Sequence, residues 1–182
     1  MKHKASEVFS LLSKALRQEV EDSTWERATE IQVLAIPRIL KGENVLLIAP
    51  TGTGKTEAAV YPVFEQFLRT RVKHSLKGIS IIYITPLRAL NRDIFRRLIK
   101  TGERLGIEVQ VRHGDTTQYA RRKQALNPPD MLITTPETLQ AILPGKRMSR
   151  HLQSIRWVVI DEVHELATSK RGVQLSIGLE RL

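Results

Sequence analysis

Five short strand-like runs, most of them separated by stretches of helical periodicity, constrain this chain more than any other feature. Four are largely apolar, residues 45–49 (VLLIA), 79–84 (ISIIYI), 131–134 (MLIT) and 157–160 (WVVI), and one, 108–111 (EVQV), alternates polar and apolar residues. A short run that stays apolar on successive residues marks a strand covered on both faces, as in parallel sheets. Residues 55–69, 88–105, 117–126 and 136–143 read as helices between the runs, and two more, 6–20 and 30–40, precede the first. In the earlier of these, Val8, Leu11, Leu12, Ala15, Leu16 and Val20 share one face. In the later, Ile31, Leu34, Ile39 and Leu40 point inward and Pro37 bends the helix. Such alternation predicts an α/β fold, a mostly parallel sheet with helices on both faces. Ligands of such sheets bind beyond the carboxyl ends of the strands, so the residues following each run are the ones to inspect.

The length, 182 residues, suits one domain over 1–182, with helices in 1–41 ahead of the first strand. Hydrophobic residues make up 41% and charged residues 26%, enough for a packed core and too apolar for wholesale disorder. Cysteine is absent, which excludes a disulfide framework, a thiolate metal site and a thiol nucleophile. The five histidines are scattered, so no metal cluster is expected. No apolar run approaches the roughly 18 residues a membrane span needs. Ser10, Ser13 and Lys14 interrupt the N-terminal apolar stretch, which is therefore no signal peptide. A cytoplasmic protein without a membrane partner is expected.

The net charge of +10 is unevenly placed. Residues 1–48 carry seven basic and seven acidic side chains, whereas residues 88–123 carry ten basic against four acidic. Arg88, Arg92, Arg96 and Lys100 lie four apart on a predicted helix, opposite Leu90, Ile94 and Leu98. This stripe is either a surface for a polyanion such as nucleic acid or an ordinary solvated helix face.

After the first run comes Ala49-Pro50-Thr51-Gly52-Thr53-Gly54-Lys55-Thr56. It fits a phosphate-binding loop, with alanine at the first glycine position. Glycines let the backbone of Thr51, Gly52, Thr53 and Gly54 curl so that its N–H groups face phosphate oxygens, and the next helix adds its positive dipole end. Lys55 would reach the β- and γ-phosphates, and Thr56 would offer a hydroxyl to Mg²⁺. A plain glycine-rich turn would share the glycines, but not the Lys-Thr pair at a strand-to-helix hinge. After the last run comes Asp161-Glu162-Val163-His164. An aspartate closing a buried strand can hold a nucleotide's magnesium, through water, and the adjacent Glu162 can activate an attacking water. Beside a phosphate loop, that reading outweighs an incidental acidic pair.

Together these motifs resemble the first RecA-like domain of a superfamily 2 helicase, a phosphate-loop NTPase fold, over about residues 25–182. Thr85-Pro86-Leu87-Arg88-Ala89-Leu90-Asn91 is similar to helicase motif Ia, and Thr134-Thr135-Pro136-Glu137-Thr138-Leu139 to motif Ib. His113-Gly114-Asp115-Thr116 and Ser169-Lys170-Arg171-Gly172-Val173-Gln174-Leu175 resemble the Lhr (large helicase-related) group in particular. The resemblance implies ATP and Mg²⁺ as cofactors, with Lys55, Asp161 and Glu162 catalytic and Thr56 and Asp161 serving the metal. It gives Gln32 adenine recognition, with Trp25 and Thr29 before it, although Thr29-x-x-Gln32 is equally a helix capping box. Phe9 is either the aromatic that packs on the base or a core residue. Arg88 and Thr135 would grip the backbone of a single nucleic-acid strand with little sequence preference. His164 would couple the nucleotide site to later motifs.

The family places a Ser-Ala-Thr motif and a second RecA-like domain after the acidic box, and Leu182 comes before both. An arginine finger of the kind that domain contributes is worth on the order of 10³–10⁵ in turnover. The expectation is an ATP-dependent helicase's N-terminal ATP-binding domain that alone turns over little. The other reading is a stand-alone nucleotide- or nucleic-acid-binding module.

Overall fold

The computed structural model describes residues 7–21, 27–86, 92–167 and 169–182, Arg92 by its backbone alone. They divide into two compact units, residues 1–75 and 76–182.

The first unit is helical. A 3-10 turn, Val8–Leu11, precedes α1 (Lys14–Glu21), followed by α2 (Glu30–Leu40) and α3 (Lys55–Lys73). The predicted helix over 6–20 is thus broken, and the reason lies in α3. Leu12 is extended, and the Ser13 N–H donates to Glu65 Oε2 at 2.8 Å instead of to a helical carbonyl. Glu65 is only 2% exposed, and its other oxygen pairs with Arg69 at 2.7 Å. Arg69 in turn donates to the Leu11 carbonyl, so a buried carboxylate pins the N-terminal segment to α3. α2 runs through Pro37, and its buried residues are Gln32, Ala35 and Ile36 rather than the expected set; Leu34 is 54% exposed.

One expected strand is not formed. Residues 43–50 join no hydrogen-bonded ladder, and Leu46 and Ile48 are 69% and 82% exposed. Apolar character suits residues to a strand, but only a neighbouring strand that takes up the backbone N–H and C=O groups makes one.

The second unit holds the sheet: β1 (Ile81–Ile84), α4 (Arg92–Leu105), β2 (Val109–Arg112), α5 (Gln118–Leu126), β3 (Met131–Thr134), α6 (Pro136–Ile142), α7 (Met148–Leu152), β4 (Trp157–Ile160), α8 (Val163–Ala167) and α9 (Lys170–Leu179). All pairings are parallel, in the order β2-β3-β1-β4. One face of the sheet carries Ile82, Ile84 and Leu132 into a core with Leu139, Ile142, Leu152 and Leu175. On α4, Leu98 is buried and Ile94 half-buried while Arg96 and Lys100 are exposed, as the stripe predicts; Phe95, outside that stripe, is buried as well, and Leu90 lies outside the described residues. Gly102 allows α4 to approach β2: a Cβ there would lie 2.5 Å from Val109 Cγ2 and 2.8 Å from the Ile107 carbonyl oxygen.

Candidate functional site

In the first unit the site is the loop 49–56 and what braces it. Gly52 and Gly54 have φ of 77° and 81°, left-handed conformations that a Cβ would strain. Gly54 is the N-cap of α3, so the helix's first N–H groups open onto the loop. Lys55 Nζ donates to the carbonyls of Ala49 and Pro50 at 2.7 and 2.8 Å, and Thr53 Oγ1 donates to the Pro50 carbonyl at 2.8 Å. Thr56 is half-buried in the first turn.

A second brace reaches the loop from α2, built on the capping box that the Thr29-x-x-Gln32 spacing offers; only its bond to the loop went unread in the sequence. Thr29 and Gln32 form a reciprocal capping box, with Gln32 Oε1 accepting from the Thr29 N–H at 3.0 Å. The Thr29 hydroxyl also donates to the Thr53 carbonyl at 2.8 Å. The cap of one helix thereby holds the loop that begins the next. A cleft of about 550 Å³ opens here, lined by Thr29, Ile31, Leu34, Ile48, Pro50 and Thr53 among others. That is within the size range of small-molecule sites. Gln32 itself is only 1% exposed. Phe9 is half-buried in the 3-10 turn and is not among the cleft's lining residues; Trp25 lies outside the described residues.

In the second unit the acidic box follows β4 directly. The Asp161 N–H extends the ladder to the Ile84 carbonyl at 2.8 Å. The Asp161 carboxylate is half-buried, with Oδ2 accepting from the Tyr83 phenol at 2.6 Å and Oδ1 from the Glu162 N–H at 2.9 Å. Glu162 has φ of 49° and is the only non-glycine residue with positive φ among the described residues. Backbone of that kind costs energy and concentrates at functional sites. Its carboxylate lies 3.4 Å from Nε2 of the exposed His164. Glu162 thus sits between the end of β4 and the start of α8, its carbonyl accepting from the Glu165 N–H at 2.9 Å.

The segments expected to meet nucleic acid are of mixed character. Arg88 lies outside the described residues, as does most of motif Ia. Thr135 is buried, 2% exposed, and caps α6, its hydroxyl accepting from the Thr138 N–H at 3.3 Å and donating to Thr138 Oγ1 at 3.1 Å. Nor is every cation in 88–123 at the surface. Arg121 donates to the carbonyls of Thr116, Gly114 and His113, holding the loop after β2. Arg112, at the end of β2, has Nε and Nη1 buried without a hydrogen-bond partner among the described residues. Burial first, and nearby Arg121 second, lower its pKa from the ordinary guanidinium value. Arg96, Arg97, Lys100, Arg104, Arg122 and Lys123 remain as the exposed positive charge.

A parallel α/β sheet ending in an acidic box, in a chain that opens α3 with a glycine-lysine loop, defines the RecA-like class. The chain belongs to the DEAD/DEAH box helicase family, whose family model matches residues 29–182. It is 42% identical over 171 residues to the ATP-dependent helicase Lhr-Core of Methanothermobacter thermautotrophicus, covering 87% of this chain and 20% of that relative. It is 41% identical over 159 residues to the Lhr helicase/uracil glycosylase of Escherichia coli, covering 78% of this chain and 10% of that one. Among solved structures, the Mycobacterium smegmatis helicase Lhr bound to ssDNA and AMP-PNP superposes with a TM-score of 0.81 at 36% identity, over 96% of this chain and 23% of that chain. The chain thus spans about a fifth of the length of the Lhr-Core relatives it matches. No described helix is long and apolar enough to cross a membrane.

Proposed function

We propose that this chain is the ATP-binding, N-terminal RecA-like domain of an Lhr-type, ATP-dependent helicase. Residues 1–182 act as one domain, a reading supported by a family match that runs through both units. The observation that carries the proposal is the braced loop: two left-handed glycines, Lys55 over the loop carbonyls, and Thr29 fixing Thr53. A loop held in this way needs little rearrangement to present its N–H groups to phosphates, which is how preorganisation strengthens binding. Thr51, Gly52, Thr53, Gly54, Lys55 and Thr56 take the phosphates. The cleft beside them takes the base, with Gln32 offering its amide N–H group, since its oxygen is engaged by Thr29.

Mg²⁺ fits the residues available. Asp161 in the second unit and the Thr56 hydroxyl in the first are each a hard oxygen donor. Magnesium is commonly held by few protein oxygens together with water and phosphate. When bound, it neutralises charge on the phosphoryl oxygens. Glu162 takes the proton of the attacking water, and His164, beside it, couples this site to later motifs. Exposed cations on α4, with Arg88 and Thr135, contact the backbone of single-stranded nucleic acid.

Turnover by these residues alone is very slow, because the family's arginine fingers come from the second domain. Calorimetry with AMP-PNP and Mg²⁺ tests the proposal: the chain binds and Lys55→Ala weakens binding. Equal affinity in the two proteins would sink the assignment. Brisk ATP hydrolysis stimulated by nucleic acid would overturn the slow-turnover part. Nucleotide or nucleic-acid binding that never yields hydrolysis, even with the second domain restored, would favour the stand-alone module.

A further inference from the structure

Asp161 is held by more than its own turn. Tyr83 is 1% exposed and is the one residue of β1 with a polar side-chain group. A buried phenol needs a partner for its O–H. Strand register supplies one. Tyr83 pairs with Val159, and Asp161, two residues further along, projects from the same face. The phenol donates to Oδ2 at 2.6 Å, the length of a charge-assisted bond, while the Glu162 N–H occupies Oδ1 at 2.9 Å. One donor on each oxygen fixes the plane of the carboxylate, and each oxygen keeps a further lone pair.

We propose that Tyr83 is a positioning residue for a divalent cation at Asp161, its phenol holding the carboxylate in the orientation that meets the hydration shell of Mg²⁺. The inference rests on the reading of Asp161 as a magnesium residue. Partners that orient a metal-binding side chain typically contribute 10- to 100-fold to metal affinity. Asp161 acting through water places Tyr83 at the lower end of that range.

The test is calorimetry of AMP-PNP binding to the 182-residue chain, with Mg²⁺ and with EDTA, for the parent, Tyr83→Phe, Asp161→Ala and the double variant. Phenylalanine keeps the ring, and a nucleotide-free melting curve reports any purely structural effect separately. Tyr83→Phe should lose about tenfold of the Mg²⁺-dependent tightening and leave the EDTA affinity unchanged. In the Asp161→Ala background it should change nothing further. The inference is overturned if Tyr83→Phe melts lower yet keeps the parent's Mg²⁺ dependence, or if the two losses add. A parent with no Mg²⁺-dependent tightening would overturn the underlying reading of Asp161 as well, so the two failures are distinguishable.

Discussion

The phosphate loop and the acidic box reach their geometry by opposite routes. The loop is organised by neighbours close in sequence and by one helix cap, with contacts among residues 29–56. The box is organised across the sheet, by a phenol 78 residues away and by a ladder bond to Ile84. Local motifs can therefore be read from spacing, whereas the orientation of a carboxylate at a strand end depends on which strand lies beside it. Strain is distributed accordingly: glycines carry the loop's left-handed backbone at little cost, but Glu162 carries the box's with a full side chain.

The largest test of this contrast falls on the box. In a protein that includes both RecA-like domains, Glu162→Gln should reduce ATP hydrolysis by about 10²–10⁴-fold, the usual contribution of a general base. Nucleotide binding should persist, because glutamine preserves the shape of the side chain. Hydrolysis undiminished in single-turnover assays would remove Glu162 from the chemistry. On the loop side, Lys55→Ala should weaken AMP-PNP binding by roughly 10- to 100-fold, from the ~1.5–3 kcal/mol a hydrogen bond to a charged group contributes. The same substitution takes the Lys55 donor from the Ala49 and Pro50 carbonyls, of which Pro50 keeps the Thr53 hydroxyl, so the nucleotide-free melting temperature separates binding from loop integrity.

How far the sequence carried each region follows from the same contrast. The 49–56 loop, α2, α3 and the four strands of the sheet are legible because periodicity and local spacing decide them. Residues 45–49 have the same apolar character as the other apolar runs but no ladder, and composition cannot supply a neighbour. The break at Leu12 and Ser13 was hidden for a related reason: a carboxylate at Glu65, far along the chain, outcompetes the helical partner of one N–H. Counting charge in 88–123 likewise treated Arg112 and Arg121 as surface, although one is partly buried and the other grips a loop. Tyr83 had a readable signal, a phenol in a run that is otherwise apolar but for Ser80. Pairing it with Asp161 required the β1–β4 register.

A smaller effect probes the brace between the cap and the loop. Thr29→Val keeps the volume and removes the hydroxyl that both caps α2 and holds the Thr53 carbonyl. Losing a cap costs about 0.5–2 kcal/mol. The variant should melt lower by a few degrees, and AMP-PNP should bind several-fold more weakly as the loop loses its brace. Unchanged affinity with lowered stability would make Thr29 a helix cap and nothing more. Thr135→Val in the second unit removes a cap of the same kind and provides the comparison, since it should lower stability without touching nucleotide affinity.

The smallest effect concerns the exposed charge, and it distinguishes a working surface from a solvated one. On single-stranded nucleic acid, each phosphate neutralised contributes roughly 0.7 to the slope of log affinity against log salt. Arg96 and Lys100 are exposed on α4, Arg96 with no more than a long 3.8 Å pairing to Asp93, itself exposed. Such a pair is worth little in water and does not hold the arginine from a phosphate. Arg96→Ala with Lys100→Ala should therefore lower the slope by about one to one and a half in a fluorescence anisotropy titration, if both side chains meet phosphates. Lys14→Ala, on α1, should leave it alone. Arg121→Ala offers the contrasting case, because its guanidinium is engaged by loop carbonyls. It should cost stability through the loop after β2, with little change in slope. A slope that ignores the α4 pair but responds to Arg121 would move the nucleic-acid surface from the helix to that loop, and the α4 stripe would then be a solvated face.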